Sequence, residues 1–275
     1  MNDLVITSRQ NSIVKYIRGL RDKKTREAEG RFVIEGSRFV YEAVLSGAYL
    51  DKVVFSERGD KQPLATEIIS HLNHSTDLIR VSDQVMDYIS DTETPQGIAA
   101  VIKLPGYSLR DLQIHPESVI TVIDGVQDPG NVGTIIRTAD AFGAGAVILT
   151  AGCADVYNTK TLRSTMGSVF HIPVVRDAEI GELKEFFQQN NIFTAATRLD
   201  GSTQVLSEAK FIRPLAIIFG SEAKGVSQEL SRDADVLLKI PMSGLAESLN
   251  VAVAAGIVLY EAFNRRGSNT FQTCK

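Results

Sequence analysis

The sequence is poor in the residues that build disulfide frameworks and metal centres: of 275 residues, two are cysteine and four histidine. Cys153 and Cys274 lie far apart without a CxxC spacing, so neither a disulfide scaffold nor a zinc site is expected and both read as incidental thiols. Long hydrophobic runs are missing too. The longest near the end, Val251 to Tyr260, falls far short of the ~20 residues that span a bilayer, so no membrane partner is expected. The opening MNDLVITSRQNS has no apolar stretch long enough for a signal peptide, which makes the cytoplasm the expected compartment. No internal repeat or low-complexity tract occurs, and the polar end RRGSNTFQTCK is expected to fray.

Two phosphate-binding signatures are also absent. In VIDGVQDPGNVGTIIRTADAFGAGAVIL, Val122 to Leu149, an apolar run meets a Gly/Asn/Pro turn and then a helix with one arginine, Arg137, on its first turns. Gly125 and Gly130 have the gap of a Walker loop, but Asn131 and Val132 stand where it needs lysine and a hydroxyl. A dinucleotide GxGxxG is missing as well. On this stretch alone, glycines that merely make a strand-to-helix turn are an equally good reading.

What the chain does have is bulk for a core. With 44% hydrophobic residues it buries a large interior, and its length predicts two domains. The net charge of −4 argues against a protein that coats nucleic acid everywhere. Locally the balance reverses: from Arg9 to Arg38 nine bases face four acids, an excess of +5. That stretch is either a solvated helix face or a nucleic-acid contact surface.

Hydrophobic spacing predicts a helix over Asn11–Arg21, strands at RFVIEG and LDKVVFS, a helix at SRFVYEAVLSG between them, another at QPLATEIISHL, a strand at DLIRVS, a short helix from Gln84 to Ile89, and a strand at GIAAVIKL. This is one small α/β unit, 1–105. The segment PGYSLRDLQIHPES, with two prolines and few core residues, places a linker at 106–117. From 118 to 275 follow strands at SVITVID, AVILT, IPVV, NIFTAAT, LAIIFG and VLLKIP, separated by helical patterns, and a long apolar helix from about Glu247 to Asn264. Alternating buried strands and helices predict an α/β fold with a largely parallel sheet covered on both faces.

Ligands of such sheets bind outside the carboxyl ends of strands, and three of those ends carry unusual residues. DPGNVGTIIR holds Asn131 and Arg137; IIFGSEAKGVS holds Gly220, Ser221, Glu222 and Gly225; IPMSGLAESLNVAVAAG holds Ile240, Ser248, Leu249 and Asn250. In this order, with KTLRSTMGSVFHIPV between the first two, they closely resemble the motifs of the SpoU (TrmH) branch of the SPOUT methyltransferases, over roughly Val119 to Phe263. The N-terminal unit resembles, more loosely, the L30e-like substrate-binding domain often joined to these enzymes. The resemblance implies an RNA 2′-O-methyltransferase using S-adenosyl-L-methionine, a deep trefoil knot in the C-terminal domain, and a homodimer. By resemblance Thr197, Gly220, Ile240 and Leu249 line the cofactor pocket, Arg137 is the catalytic arginine, and Asn131, Glu222, Ser248 and Asn250 have positioning roles. A guanidinium stays charged far above neutral pH and is a poor literal base, so its fork is expected to grip a phosphate and polarise the 2′-hydroxyl as oxyanion charge develops. No metal is needed for this chemistry. The domain architecture favours ribosomal over transfer RNA as target. A non-catalytic ribosome-assembly factor and a nucleotide-dependent oxidoreductase stay open as alternatives.

Overall fold

A computed structural model describes residues 4–198 and 203–265. The polar end from Arg266 onward, with Cys274, lies outside the described residues. Two compact units are present. The first comprises the described residues up to Pro105 together with Tyr157–Phe170; the second comprises Gly106–Val156 and the described residues from His171 onward.

In the first unit β1 (Arg31–Glu35), β2 (Leu50–Phe55), β3 (Asp77–Arg80) and β4 (Ile98–Lys103) form a mixed sheet in the order β1-β4-β2-β3. β4 runs antiparallel to both β1 and β2, and β3 lies parallel to β2. Helix Ser12–Gly19 is capped by the Asn11 side chain and buries Val14 and Ile17 against Val85, Met86 and Ile89 of helix Asp83–Ile89.

The basic stretch is only partly a surface. Asp22 caps a further helix, Lys23–Glu29, which sequence periodicity does not reveal. Its Arg26 is 4% exposed and donates to the carbonyls of Leu20 and Arg21, while Arg31 is paired with Asp51 and Lys23 with Glu27. Neither a solvated face nor a contact surface therefore accounts for Arg26 and Arg31, whose guanidinium groups satisfy internal acceptors.

The second unit is built on β5 (Val119–Asp124), β6 (Ala146–Thr150), β7 (Val174–Ala178), β8 (Phe193–Thr197), the two-residue β9 (Gln204–Val205), β10 (Leu215–Gly220) and β11 (Val236–Lys239). All pair in parallel, in the order β7-β6-β5-β10-β8-β11-β9. Every residue of β5 and β6 is buried, as expected of strands covered on both faces. One face packs Ile120, Val122, Ile148 and Ile218 against Leu183 and Phe186 of helix Ile180–Gln189. Elsewhere helix Pro129–Ala141 lies against the last helix, Val251–Asn264, with the Phe142 ring 5.8 Å from Tyr260 and 5.9 Å from Phe263.

Two boundaries differ from the sequence reading. The last helix begins at Val251 rather than near Glu247, because the Asn250 side chain takes the amides of Ala252 and Val253 at 2.9 and 3.3 Å and fixes the cap there. The stretch 118–275 is not one continuous body: Tyr157–Phe170 packs into the first unit, where Tyr157 meets Phe32 at 4.7 Å between centroids and Phe170 meets Phe39 at 5.6 Å. Apolar burial of these rings outweighs sequence neighbourhood.

Candidate active site

The site starts from the parallel sheet. β10, β8 and β11 are adjacent, so their carboxyl ends open at one edge of the second unit. A cavity of about 610 Å³ lies there. Thr197 at the end of β8, Gly220 at the end of β10, Ile240 just past β11, and Leu249 all line it, together with Glu222 and Ser248. Val251, Ala254 and Val258 of the last helix close its floor with apolar surface.

The loop after β10 is folded tightly. The Gly225 amide donates to the Ser221 carbonyl at 2.8 Å, and the Lys224 amide to Ser221 Oγ at 3.2 Å. Gly225 sits at φ +67°, a left-handed conformation that favours glycine, and Gly220 packs backbone to backbone against it. Thr197 Oγ1 donates to the Ile218 carbonyl at 3.1 Å, tying β8 to β10 below the cavity.

Three separate motifs meet through amides. Asn131 Nδ2 donates to Glu222 Oε1, and Asn250 Nδ2 donates to Asn131 Oδ1 at 3.0 Å. Asn131 thus links the β5 turn to the loop after β10 and to the cap of the last helix. Its own amide donates to Asp128 Oδ1 at 2.8 Å, the N-cap of helix Pro129–Ala141 with Pro129 behind it. Arg137 stands apart. It lies toward the middle of that helix rather than on its first turns, is exposed, does not line the cavity, and has no polar partner among the described residues.

Sequence reasoning passes over Asp124 and Thr150. Asp124 is 6% exposed and accepts from the Ser227 amide at 2.7 Å and from Thr150 Oγ1 at 2.8 Å; Thr150 Oγ1 in turn accepts from the Gly125 amide at 3.1 Å. The loop after β10 is therefore held near its start by Asn131 through Glu222 and at its end by Asp124. A lone acid closing an otherwise apolar strand is the signal that could have found them. Cys153 gives its thiol to the Ile123 carbonyl at 3.2 Å, and burial pushes its pKa up, away from the reactive thiolate.

Residues 118–260 match the SpoU rRNA Methylase family, and residues 11–100 match the MRM3-like substrate binding domain. The chain is 38% identical to the 23S rRNA (guanosine(2553)-2′-O)-methyltransferase RlmP of Bacillus subtilis (strain 168), over 93% of this chain and 97% of that one. The chain belongs to the SpoU rRNA methylase family. Two solved structures of similar proteins extend the likeness to the whole fold. The AdoMet-bound rRNA methyltransferase from Sinorhizobium meliloti is 33% identical with a TM-score of 0.86, covering 95% of this chain and 97% of that one. The SpoU methyltransferase AviRb from Streptomyces viridochromogenes, in complex with AdoMet, is 28% identical with a TM-score of 0.86, covering 95% of this chain and 100% of that one.

As a SpoU methylase the chain is a methyltransferase and uses S-adenosylmethionine. The cavity suits that group. Its volume falls within the range of small-ligand sites, Ile240, Leu249 and Met242 offer apolar faces to a flat purine, and Thr197, Ser221, Glu222 and Ser248 offer polar groups beside them.

Proposed function

We propose that the protein methylates a ribose 2′-hydroxyl of ribosomal RNA, with the cofactor held by Thr197, Gly220, Ile240 and Leu249. The observation carrying this is the convergence of all four residues on one cavity at the carboxyl ends of β8, β10 and β11, in a chain of the SpoU family. S-adenosylmethionine supplies the electrophilic methyl group. The protein's task is then to align the hydroxyl for in-line attack and to help its proton leave. Arg137, exposed and outside the cavity lining, is assigned to the acceptor in this reading: its fork grips a phosphate beside the target ribose and stabilises the developing oxyanion, with the proton passing to phosphate or water. Asn131, Glu222 and Asn250 position the loop and the helix cap around the acceptor, and Ser248 orients the ribose from the rim. Ribosomal rather than transfer RNA is favoured by the match to RlmP along nearly the full length of both chains. Incubating purified protein with tritiated S-adenosylmethionine and RNA from cells lacking the gene is expected to label large-subunit rRNA. Label confined to tRNA, or none, would refute this reading, and the same experiment locates the modified nucleotide.

The working form is proposed to be a cytoplasmic homodimer. Val253, Ile257 and Tyr260 are 52, 38 and 53% exposed and recur at i, i+4 and i+7, an apolar stripe along the last helix, with Leu245 bare on the preceding loop. Such a stripe gains most by facing its own copy. Light scattering should give twice the monomer mass, and Ile257→Glu should shift it to monomer and lower methyl transfer; an active wild-type monomer at all concentrations refutes the dimer. The family's trefoil knot is proposed for the chain around the loop after β10 and the last helix, and a crystallographic trace of 215–264 tests it.

A further inference from the structure

Four arginines of the first unit, drawn from three parts of the sequence, are held in succession along residues 88–91. Arg9 and Arg18 both place their guanidinium carbons near the Tyr88 ring, at 5.2 and 4.1 Å from its centroid. Arg18 Nη1 also donates to the Tyr88 carbonyl. Arg21 Nη2 donates to the next carbonyl, Ile89, at 2.7 Å, and Arg21 Nη1 lies 3.5 Å from Asp91 Oδ1; the other Asp91 oxygen takes Arg163 Nη2 at 3.1 Å. Arg163 comes from the Tyr157–Phe170 segment that packs into this unit.

Part of this arrangement is structural. The carbonyls of Tyr88 and Ile89 end helix Asp83–Ile89 and need donors. Capping does not account for the rest. Each guanidinium has five N–H donors, and none of the four uses more than two of them: Arg163, the most engaged with Arg21, also donates Nε to the Thr159 carbonyl at 3.1 Å. Arg9 makes no hydrogen bond among the described residues, and stacking on a ring engages the face of a guanidinium while leaving its N–H edge outward. The carboxylates touching the row are Asp91 and, behind it, Glu35, which takes the Asp91 amide at 2.6 Å. Asp87 beside Tyr88 is already bound by Arg58 at 2.9 Å. Four guanidinium groups against two engaged carboxylates leave a positive excess in a chain of net charge −4. Arg163 is 47% exposed along its side chain and Arg21 28%, so the row is open to solvent.

We infer that this row of arginines, Arg9, Arg18, Arg21 and Arg163 on Tyr88 and Asp91, is a track for the phosphate backbone of the substrate RNA. It rests on the RNA-methylation reading and adds to it where the first unit grips the chain. Preset guanidinium forks spaced along a rigid helix end match successive phosphates and carry no base preference.

Arg9→Gln with Arg163→Gln is the first test, because Arg9 leaves no described acceptor unpaired and Asp91 keeps Arg21. The probe is transcribed, protein-free 23S rRNA in filter binding between about 50 and 200 mM salt. The double variant should bind at least about tenfold more weakly, and its slope of log affinity against log salt should flatten by about 0.7–0.9 for each phosphate no longer neutralised. Cofactor affinity, melting temperature and kcat at saturating RNA should stay those of wild type, with the loss confined to KM for RNA. The charge-reversed pair Arg9→Glu, Arg163→Glu should lose more, and Lys210→Gln, an exposed cation of the second unit, should lose nothing. If both double variants bind with wild-type affinity and slope while wild type methylates ribosomal RNA, the track is refuted and the methylation reading stands. If wild type itself neither binds nor methylates that RNA, both fall.

Discussion

Arg137→Ala is expected to lower methyl transfer by roughly 10²–10³-fold, the usual cost of deleting one preorganised donor to a developing oxyanion, while leaving cofactor affinity unchanged. The separation follows from placement. Arg137 is on the exposed side of helix Pro129–Ala141 and contributes nothing to the cavity, so its loss removes no wall of the proposed cofactor site. It also leaves no acceptor unpaired among the described residues, so the melting temperature should move little. Arg137→Lys tests what kind of group is needed. An ammonium restores the charge but not the planar fork, so recovery should be slight if the arginine spans a phosphate and the hydroxyl together. Turnover near wild type in the alanine variant, measured on the true RNA, would remove Arg137 from the chemistry. Weakened cofactor binding measured by calorimetry would instead move it to the donor side.

How far the sequence alone reaches depends on the range of the interaction concerned. The strands of the second sheet are legible because β5, β6 and β10 are buried on both faces and so appear as nearly unbroken apolar runs. The four residues proposed to hold the cofactor come from motif resemblance, and their common cavity depends on a strand order, β10-β8-β11, that no local pattern encodes. The sequence reading starts the last helix near Glu247, and only folding shows that Asn250 takes the amides and also reaches Asn131. Tyr157–Phe170 reads locally as part of the second domain. Its aromatic partners, Phe32 and Phe39, lie more than a hundred residues away, beyond any periodicity argument. The basic stretch misleads for the opposite reason: charge counting treats every arginine as surface, whereas Arg26 spends its donors on buried carbonyls.

Gly220 gives the sharpest test of the cofactor site, for a reason that only the fold supplies. From sequence, a larger side chain at this position is expected to fill space needed by the cofactor. The structure shows an earlier obstacle: a Cβ at this position would lie 2.0 Å from the carbonyl carbon of Gly225 and 2.0 Å from the Val226 amide nitrogen. Both are backbone atoms, so no rotamer change relieves the clash, and even Gly220→Ala must push the loop after β10 away from the sheet. That displacement pulls Glu222 from Asn131 and Ser227 from Asp124, the two bonds that hold the loop. Calorimetry with S-adenosylmethionine should therefore show at least a ~100-fold weaker Kd for Gly220→Ala, about 2.7 kcal/mol, and no measurable binding for Gly220→Val. Gly225→Ala is the graded comparison. A Cβ on Gly225 would meet open space, and its substitution costs only the strain of a left-handed residue, about 1–2 kcal/mol, so affinity should fall by roughly tenfold. Gly106→Ala, which meets no atom and has no positive φ, should bind like wild type. The order Gly220 worse than Gly225 worse than Gly106 is what a cofactor site shaped by this loop requires. Normal cofactor affinity in Gly220→Ala would place the site elsewhere.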